Sequence, residues 1–197
     1  MCDLDGCGAH KDMPPIVVPD EQRRAFLKGV AALPLAAILF DPVLARAQAA
    51  QAEMTTIDMP DGASFTGALA LPEGDGPAPT LLLIHEWWGL NDQIKTVAAE
   101  FAKQGFVAFA IDLFDAEPAT TADGAMALIQ GLDAVAATQK LASAVDWLRN
   151  HPRSNGKVGT IGWCFGGGWS LNASLAAPVD ATVIYYGNVE KTPEELS

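Results

Sequence analysis

Two rhythms of apolar residues alternate along this chain of 197 residues. Period-two alternation over 54–59 and 64–71, with the turn Pro60-Asp61-Gly62 between, predicts a pair of strands. A loop rich in Gly and Pro covers 72–79, and 80–85 then runs almost continuously apolar, as expected of a strand covered on both faces. Helical spacing follows. Asp92 is expected to cap a helix reaching Gln104, and Gly105 stops it ahead of a strand over 106–111. The same spacing returns over 121–149 with a break near Gly131, and His151-Pro152 lies beyond its end. A strand beginning at Lys157 then enters a glycine-rich turn, followed by a helix to about Ala177 and a last strand over 181–186. Strand alternating with helix predicts an α/β fold with a mostly parallel sheet flanked by helices.

The glycine-rich turn carries the first candidate chemistry. Lys157-Val158-Gly159-Thr160-Ile161 leads directly into Gly162-Trp163-Cys164-Phe165-Gly166-Gly167-Gly168, a strand that turns sharply into a helix with a thiol at the apex. Such an elbow strains the backbone of its central residue and brings strand and helix close together, so the positions two before and two after must be nearly without side chains. Gly162 and Gly166 meet that demand. The pattern is the G-x-S-x-G nucleophile elbow of α/β-hydrolases with cysteine in place of serine, which points to acyl or ester hydrolysis through a thiolate. A helix N-terminus just after Cys164 places a partial positive charge near the sulfur and eases thiolate formation. The competing reading is a buried structural cysteine in a tight turn. Glu86, at the C-terminal end of the apolar strand, stands where open α/β sheets gather ligands, although an ion pair with a neighbouring cation would also account for it.

The elbow resembles that of the dienelactone hydrolase family, whose members include carboxymethylenebutenolidases. Three further segments resemble the same family in the same order: Leu81-Leu82-Leu83-Ile84-His85-Glu86-Trp87-Trp88-Gly89-Leu90-Asn91, Ile111-Asp112-Leu113-Phe114 and Val183-Ile184-Tyr185-Tyr186-Gly187. The resemblance covers everything from about Met54 onward and implies an α/β-hydrolase fold that opens a small-molecule lactone or ester by attack of Cys164. It implies that Glu86 hydrogen-bonds the resting thiol and helps to activate it, that the backbone N–H groups of Trp87 and Phe165 form the oxyanion hole, and that no metal or organic cofactor is used. His85 is not expected to be the general base, because in this fold the catalytic histidine follows the nucleophile. No histidine follows His151, and the carboxylates after Cys164 are Asp180, Glu190, Glu194, Glu195 and the chain terminus, so the Asp and His of a triad have no place in this chain. The expectation is therefore a partial hydrolase domain with its C-terminal strands missing, poorly active or inactive as it stands. The alternative is a catalytically silent binding or scaffold protein on the same fold. Where the resemblance implies an arginine that binds a substrate carboxylate, Asp115-Ala116-Glu117 stands instead, which argues against an anionic lactone.

Ahead of this region, Arg23-Arg24-Ala25-Phe26-Leu27-Lys28 is followed by an apolar stretch and by Ala45-Arg46-Ala47, the order of a twin-arginine export signal with its cleavage site. The organisation read from this is a signal peptide over 1–47, a linker over 48–53 and the hydrolase-like domain over 54–197, with delivery to the periplasm or beyond by the twin-arginine machinery. The apolar core is too short for a bilayer span and contains Pro34, so stable membrane anchoring is not expected. Cys2, Cys7 and His10 are too few ligands for a closed zinc site, and no metal site is read. After cleavage Cys164 would be the one cysteine left, which excludes an internal disulfide. A net charge of -12 and a pI near 4.4 exclude a nucleic-acid face, which needs clustered cations. Trp87, Trp88, Trp163 and Trp169 gather around the two motifs and read mainly as core or pocket-wall residues.

Overall fold

The computed structural model describes residues 49–192 and residue 194. The expected signal residues Arg23 and Arg24, and the Cys2, Cys7 and His10 group, lie outside the described residues. Six strands form one mixed sheet: β1 (Glu53–Asp58), β2 (Ser64–Ala70), β3 (Ala78–Ile84), β4 (Val107–Ile111), β5 (Ser154–Trp163) and β6 (Ala181–Tyr185). Their order across the sheet is β1-β2-β4-β3-β5-β6. The pairs β1/β2 and β2/β4 are antiparallel, whereas β4/β3, β3/β5 and β5/β6 are parallel. Four helices join them: α1 (Asp92–Lys103), α2 (Ala122–Gly131), α3 (Ala134–Asn150) and α4 (Phe165–Ala176).

The continuous apolar strands occupy the middle of the sheet, where both faces are covered. All five residues of β4 are buried. Val107, Phe109 and Ile111 face a core completed by Leu82 and Ile84 of β3 and by Leu141, Val145 and Leu148 of α3, while the alternate residues Ala108 and Ala110 are equally inaccessible. α1 packs against β2 and β4, and α3 and α4 pack against β5 and each other. Small residues matter where elements meet closely: a Cβ on Gly67 would lie 2.3 Å from the ring of Phe109.

Helix boundaries follow their caps. Asn91, not Asp92, is the N-cap of α1, its side chain accepting from the Ile94 N–H at 3.1 Å. Asp92 becomes the first helical residue, an acidic group suited to the first turn. The break near Gly131 has a similar cause, since Asp133 accepts from the N–H groups of Val135 and Ala136 and starts a new helix. β5 begins at Ser154, three residues ahead of the expected Lys157, because Ala78 pairs with Ser154 across an irregularity in the ladder.

Strand register sets up the site. Ile84 pairs with Ile111 on one side and with Gly162 on the other, and Gly162 pairs with Ile184. The residues two places beyond this row are Glu86, Leu113, Cys164 and Tyr186, so four strands deliver them to one end of the sheet. No described helix is long and apolar enough to cross a membrane.

Candidate active site

Cys164 sits between β5 and α4 at φ 54° and ψ -117°, a left-handed conformation uncommon for a residue with a side chain. Close packing imposes it. A Cβ on Gly162 would fall 2.0 Å from the carbonyl oxygen of Gly166, and one on Gly166 would fall 2.2 Å from the oxygen of Ile84. Both obstacles are backbone atoms, which cannot swing aside as a side chain would. The Cys164 N–H donates to the Tyr185 carbonyl at 3.0 Å, and its own carbonyl accepts from the Gly167 N–H at 3.0 Å. The thiol residue is exposed, which departs from the structural-cysteine reading of the turn.

Cys164 opens onto a cavity of about 440 Å³ lined by Phe165, Trp169, Asn172, Tyr186 and Asn188, among others. Trp169 is therefore a wall residue, as expected of it. Trp163 instead stacks on Tyr185 across the β5/β6 pair, with centroids 5.8 Å apart, and Trp87 packs on Trp88 at 4.9 Å. All four tryptophans are partly buried.

Glu86 leaves β3 into a tight turn. The Gly89 N–H donates to the Glu86 carbonyl at 3.3 Å, and Gly89 has φ 90°, which favours glycine. The Glu86 carboxylate accepts a hydrogen bond from the Tyr186 hydroxyl at 3.0 Å. Among the described residues this phenol is its hydrogen-bond partner, in place of the expected Cys164 thiol, and no cation pairs with it. Tyr186 was legible in the sequence only as part of a strand-end motif, without a role. Its backbone is strained at φ 40°, and it is positioned by Gly187, where a Cβ would meet the backbone of Gly167 and Gly168 at 2.5 Å. Desolvation, the hydrogen bond to Glu86 and the negative charge of Glu86 and Cys164 push the Tyr186 hydroxyl up to about 12. Because the residue is 72 % exposed, the bond to the carboxylate is the cause with a direct geometric basis. The phenol thus remains a proton donor across the neutral range.

His85 turns away from this opening. Its side chain is fully buried, and burial lowers its pKa from 6.5 to about 4. Both ring nitrogens are engaged, Nδ1 with the Glu86 carbonyl at 2.6 Å and Nε2 with the Leu113 N–H at 3.1 Å. A general base must reach its substrate, and this imidazole cannot.

The acidic segment after β4 also differs from its appearance in the sequence. Asp115 pairs with Lys140 of α3 beside a second cavity of about 320 Å³, so its charge is largely compensated and its expected repulsion of an anionic substrate is weakened. Among the described residues no cluster of His, Cys, Asp or Glu has the form of a metal site.

A mixed sheet with a strained, glycine-flanked turn between a central parallel strand and the next helix is the α/β-hydrolase fold. Solved structures agree: a dienelactone hydrolase-like promiscuous phosphotriesterase from metagenomic libraries matches at a TM-score of 0.63, with 30 % identity over 74 % of this chain and 64 % of that one. The chain belongs to the dienelactone hydrolase family, whose model matches residues 65–197. It is 31 % identical over 156 residues to a carboxymethylenebutenolidase of Pseudomonas putida, covering 72 % of this chain and 66 % of that protein. It is 36 % identical over 138 residues to Protein usf of Aquifex pyrophilus, covering 64 % of this chain and 58 % of that protein. The chain thus spans less than two thirds of the length of these relatives.

Proposed function

We propose that this protein is a hydrolase of lactones or carboxylic esters in which Cys164 is the nucleophile. The observation that carries the reading is the exposed thiol on a strained elbow, at the mouth of a cavity and level with Glu86 across the sheet. Glu86 takes the thiol proton, and the sulfur attacks the carbonyl carbon. The resulting oxyanion is held by the N–H groups of Trp87 and Phe165, neither of which donates to another described residue. Collapse of the tetrahedral intermediate breaks the C–O bond to the alcohol, which leaves with a proton, and forms a thioester on Cys164. Water then hydrolyses the thioester to a carboxylic acid and restores the thiol. Membership of the dienelactone hydrolase family and the carboxymethylenebutenolidase relatives support a small lactone or ester as substrate. Acylation draws on Cys164, Glu86 and the two N–H groups alone, which makes it the step to test.

The test is incubation of the purified chain with p-nitrophenyl acetate, following p-nitrophenol release and the mass of the protein. A single acetyl group on Cys164, absent from Cys164→Ala, is expected. Equal p-nitrophenol release by that variant would remove the nucleophile and leave the scaffold reading.

We also propose that residues 1–47 direct export by the twin-arginine machinery, on the strength of Arg23, Arg24 and the Ala45-Arg46-Ala47 cleavage pattern. Residues 54–197 would then act in the periplasm or outside the cell.

A further inference from the structure

The imidazole of His85 touches both segments that carry the oxyanion N–H groups. We propose that His85 is a positioning residue for the oxyanion hole: it fixes the Glu86–Trp87 peptide so that the Trp87 N–H is held ready for the substrate oxygen, and it buttresses the turn that carries the Phe165 N–H. The proposal rests on the reading of Cys164 as an acyl-accepting nucleophile.

The tautomer follows from the partners. Nε2 lies 3.1 Å from the Leu113 N–H, a donor, so Nε2 is the acceptor and the proton of the neutral ring resides on Nδ1. Nδ1–H therefore donates to the Glu86 carbonyl at 2.6 Å. That oxygen also accepts from the Gly89 N–H at 3.3 Å, so it is gripped from two directions. No cis peptide is present among the described residues, and in a planar trans peptide the carbonyl and the following N–H point in opposite directions. Holding the Glu86 oxygen against the buried ring therefore aims the Trp87 N–H away from it. Without the imidazole the peptide could rotate, and the N–H would be found in productive orientation only part of the time.

The same ring reaches the other donor through packing. It lies nearly parallel to Phe165, at 11° and 6.0 Å between centroids, and it also packs against Phe114 at 4.8 Å. Slack is absent at this junction, since a Cβ on Gly166 would come within 2.4 Å of the His85 carbonyl oxygen. A side chain with one donor and one acceptor, buried between β3, β4 and α4, thus ties the two halves of the hole to the strand ends. A buried imidazole with both nitrogens spent in this way has no capacity left for proton transfer to substrate, which leaves positioning as its contribution.

The test compares two reactions of Cys164 in the full chain: alkylation by iodoacetamide, which develops no oxyanion on a carbonyl, and acylation by p-nitrophenyl acetate, which does. In His85→Phe, alkylation should stay within about twofold of the parent while acylation falls about tenfold or more, short of the 10²–10³ that follows removal of a donor outright. His85→Gln, which keeps one donor and one acceptor, should recover most of the acylation. If circular dichroism shows that His85→Phe does not fold, His85→Asn gives the same comparison, because its shorter side chain cannot span from Glu86 to Leu113. An unchanged ratio of acylation to alkylation would overturn the positioning role while leaving Cys164 as the nucleophile. Failure of the parent chain itself to acylate at Cys164 would instead overturn the nucleophile, and this proposal with it.

Discussion

Acid should destabilise this fold through His85 in a way that can be isolated and measured. In the folded chain the ring is fully buried and its pKa is lowered to about 4, whereas in the unfolded chain it titrates near the ordinary 6.5. Burial is the main cause and opposes the charged form; the hydrogen bond to the Glu86 carbonyl favours that form and only partly offsets it. The unfolded state therefore binds the proton first. Above pH 6.5 both states are neutral at this position and nothing is lost; as the pH falls towards 4 the unfolded state is progressively favoured. At about 1.4 kcal/mol per tenfold change in proton affinity, the full loss is roughly 3 kcal/mol, a large share of the 5–15 kcal/mol that typically holds a domain together. Two other titrating groups complicate a single curve. Asp112, whose carboxylate lies 3.9 Å from Nε2, has its pKa raised chiefly by burial and contributes with the opposite sign, its stabilisation being lost as the pH rises through the raised value. His151 is lowered by burial and contributes in the same direction as His85. Both remain in His85→Gln, so the difference between parent and variant isolates the imidazole. Urea unfolding of the two proteins at several pH values from 7 to 4 should show the parent losing roughly 3 kcal/mol more than the variant. Parallel stability curves would refute the assignment of His85 as a buried neutral imidazole.

Other consequences are simpler to state. Gly166→Ala should destabilise the chain by about 3 kcal/mol or more in urea unfolding, because the new methyl group meets backbone oxygens that cannot yield; a loss below 1 kcal/mol would mean that the elbow is looser than described. Tyr186→Phe should change stability by less than about 1 kcal/mol, since the bond is at an exposed residue, yet it should raise iodoacetamide labelling of Cys164 at neutral pH by freeing the Glu86 carboxylate to take the thiol proton. Unchanged labelling would reduce the Tyr186–Glu86 contact to a surface hydrogen bond. Replacement of Arg23 and Arg24 by lysines should leave precursor in the cytoplasm, and normal periplasmic accumulation of that variant would exclude the twin-arginine route.

What the residues specify locally could be read without coordinates. The apolar runs of β3 and β4, the glycines flanking Cys164 and the alternation of strand with helix are short-range patterns, each dictated by burial or backbone geometry within a few residues. Even there, choosing between Asn91 and Asp92 as the cap of α1 required knowing which side chain folds back on the Ile94 N–H. Tertiary structure decided whatever depends on distant segments meeting. Tyr186 reaches Glu86 across 100 residues, Lys140 neutralises Asp115 from another helix, and the two nitrogens of His85 find their partners at the ends of β3 and β4. A sequence records which groups can donate, accept or carry charge, but pairing them is a matter of strand order and register. Here the order β1-β2-β4-β3-β5-β6 and the row through Ile84, Ile111, Gly162 and Ile184 bring Glu86, Leu113, Cys164 and Tyr186 to one level. That alignment is the property of four strands packed together and of no single segment among them.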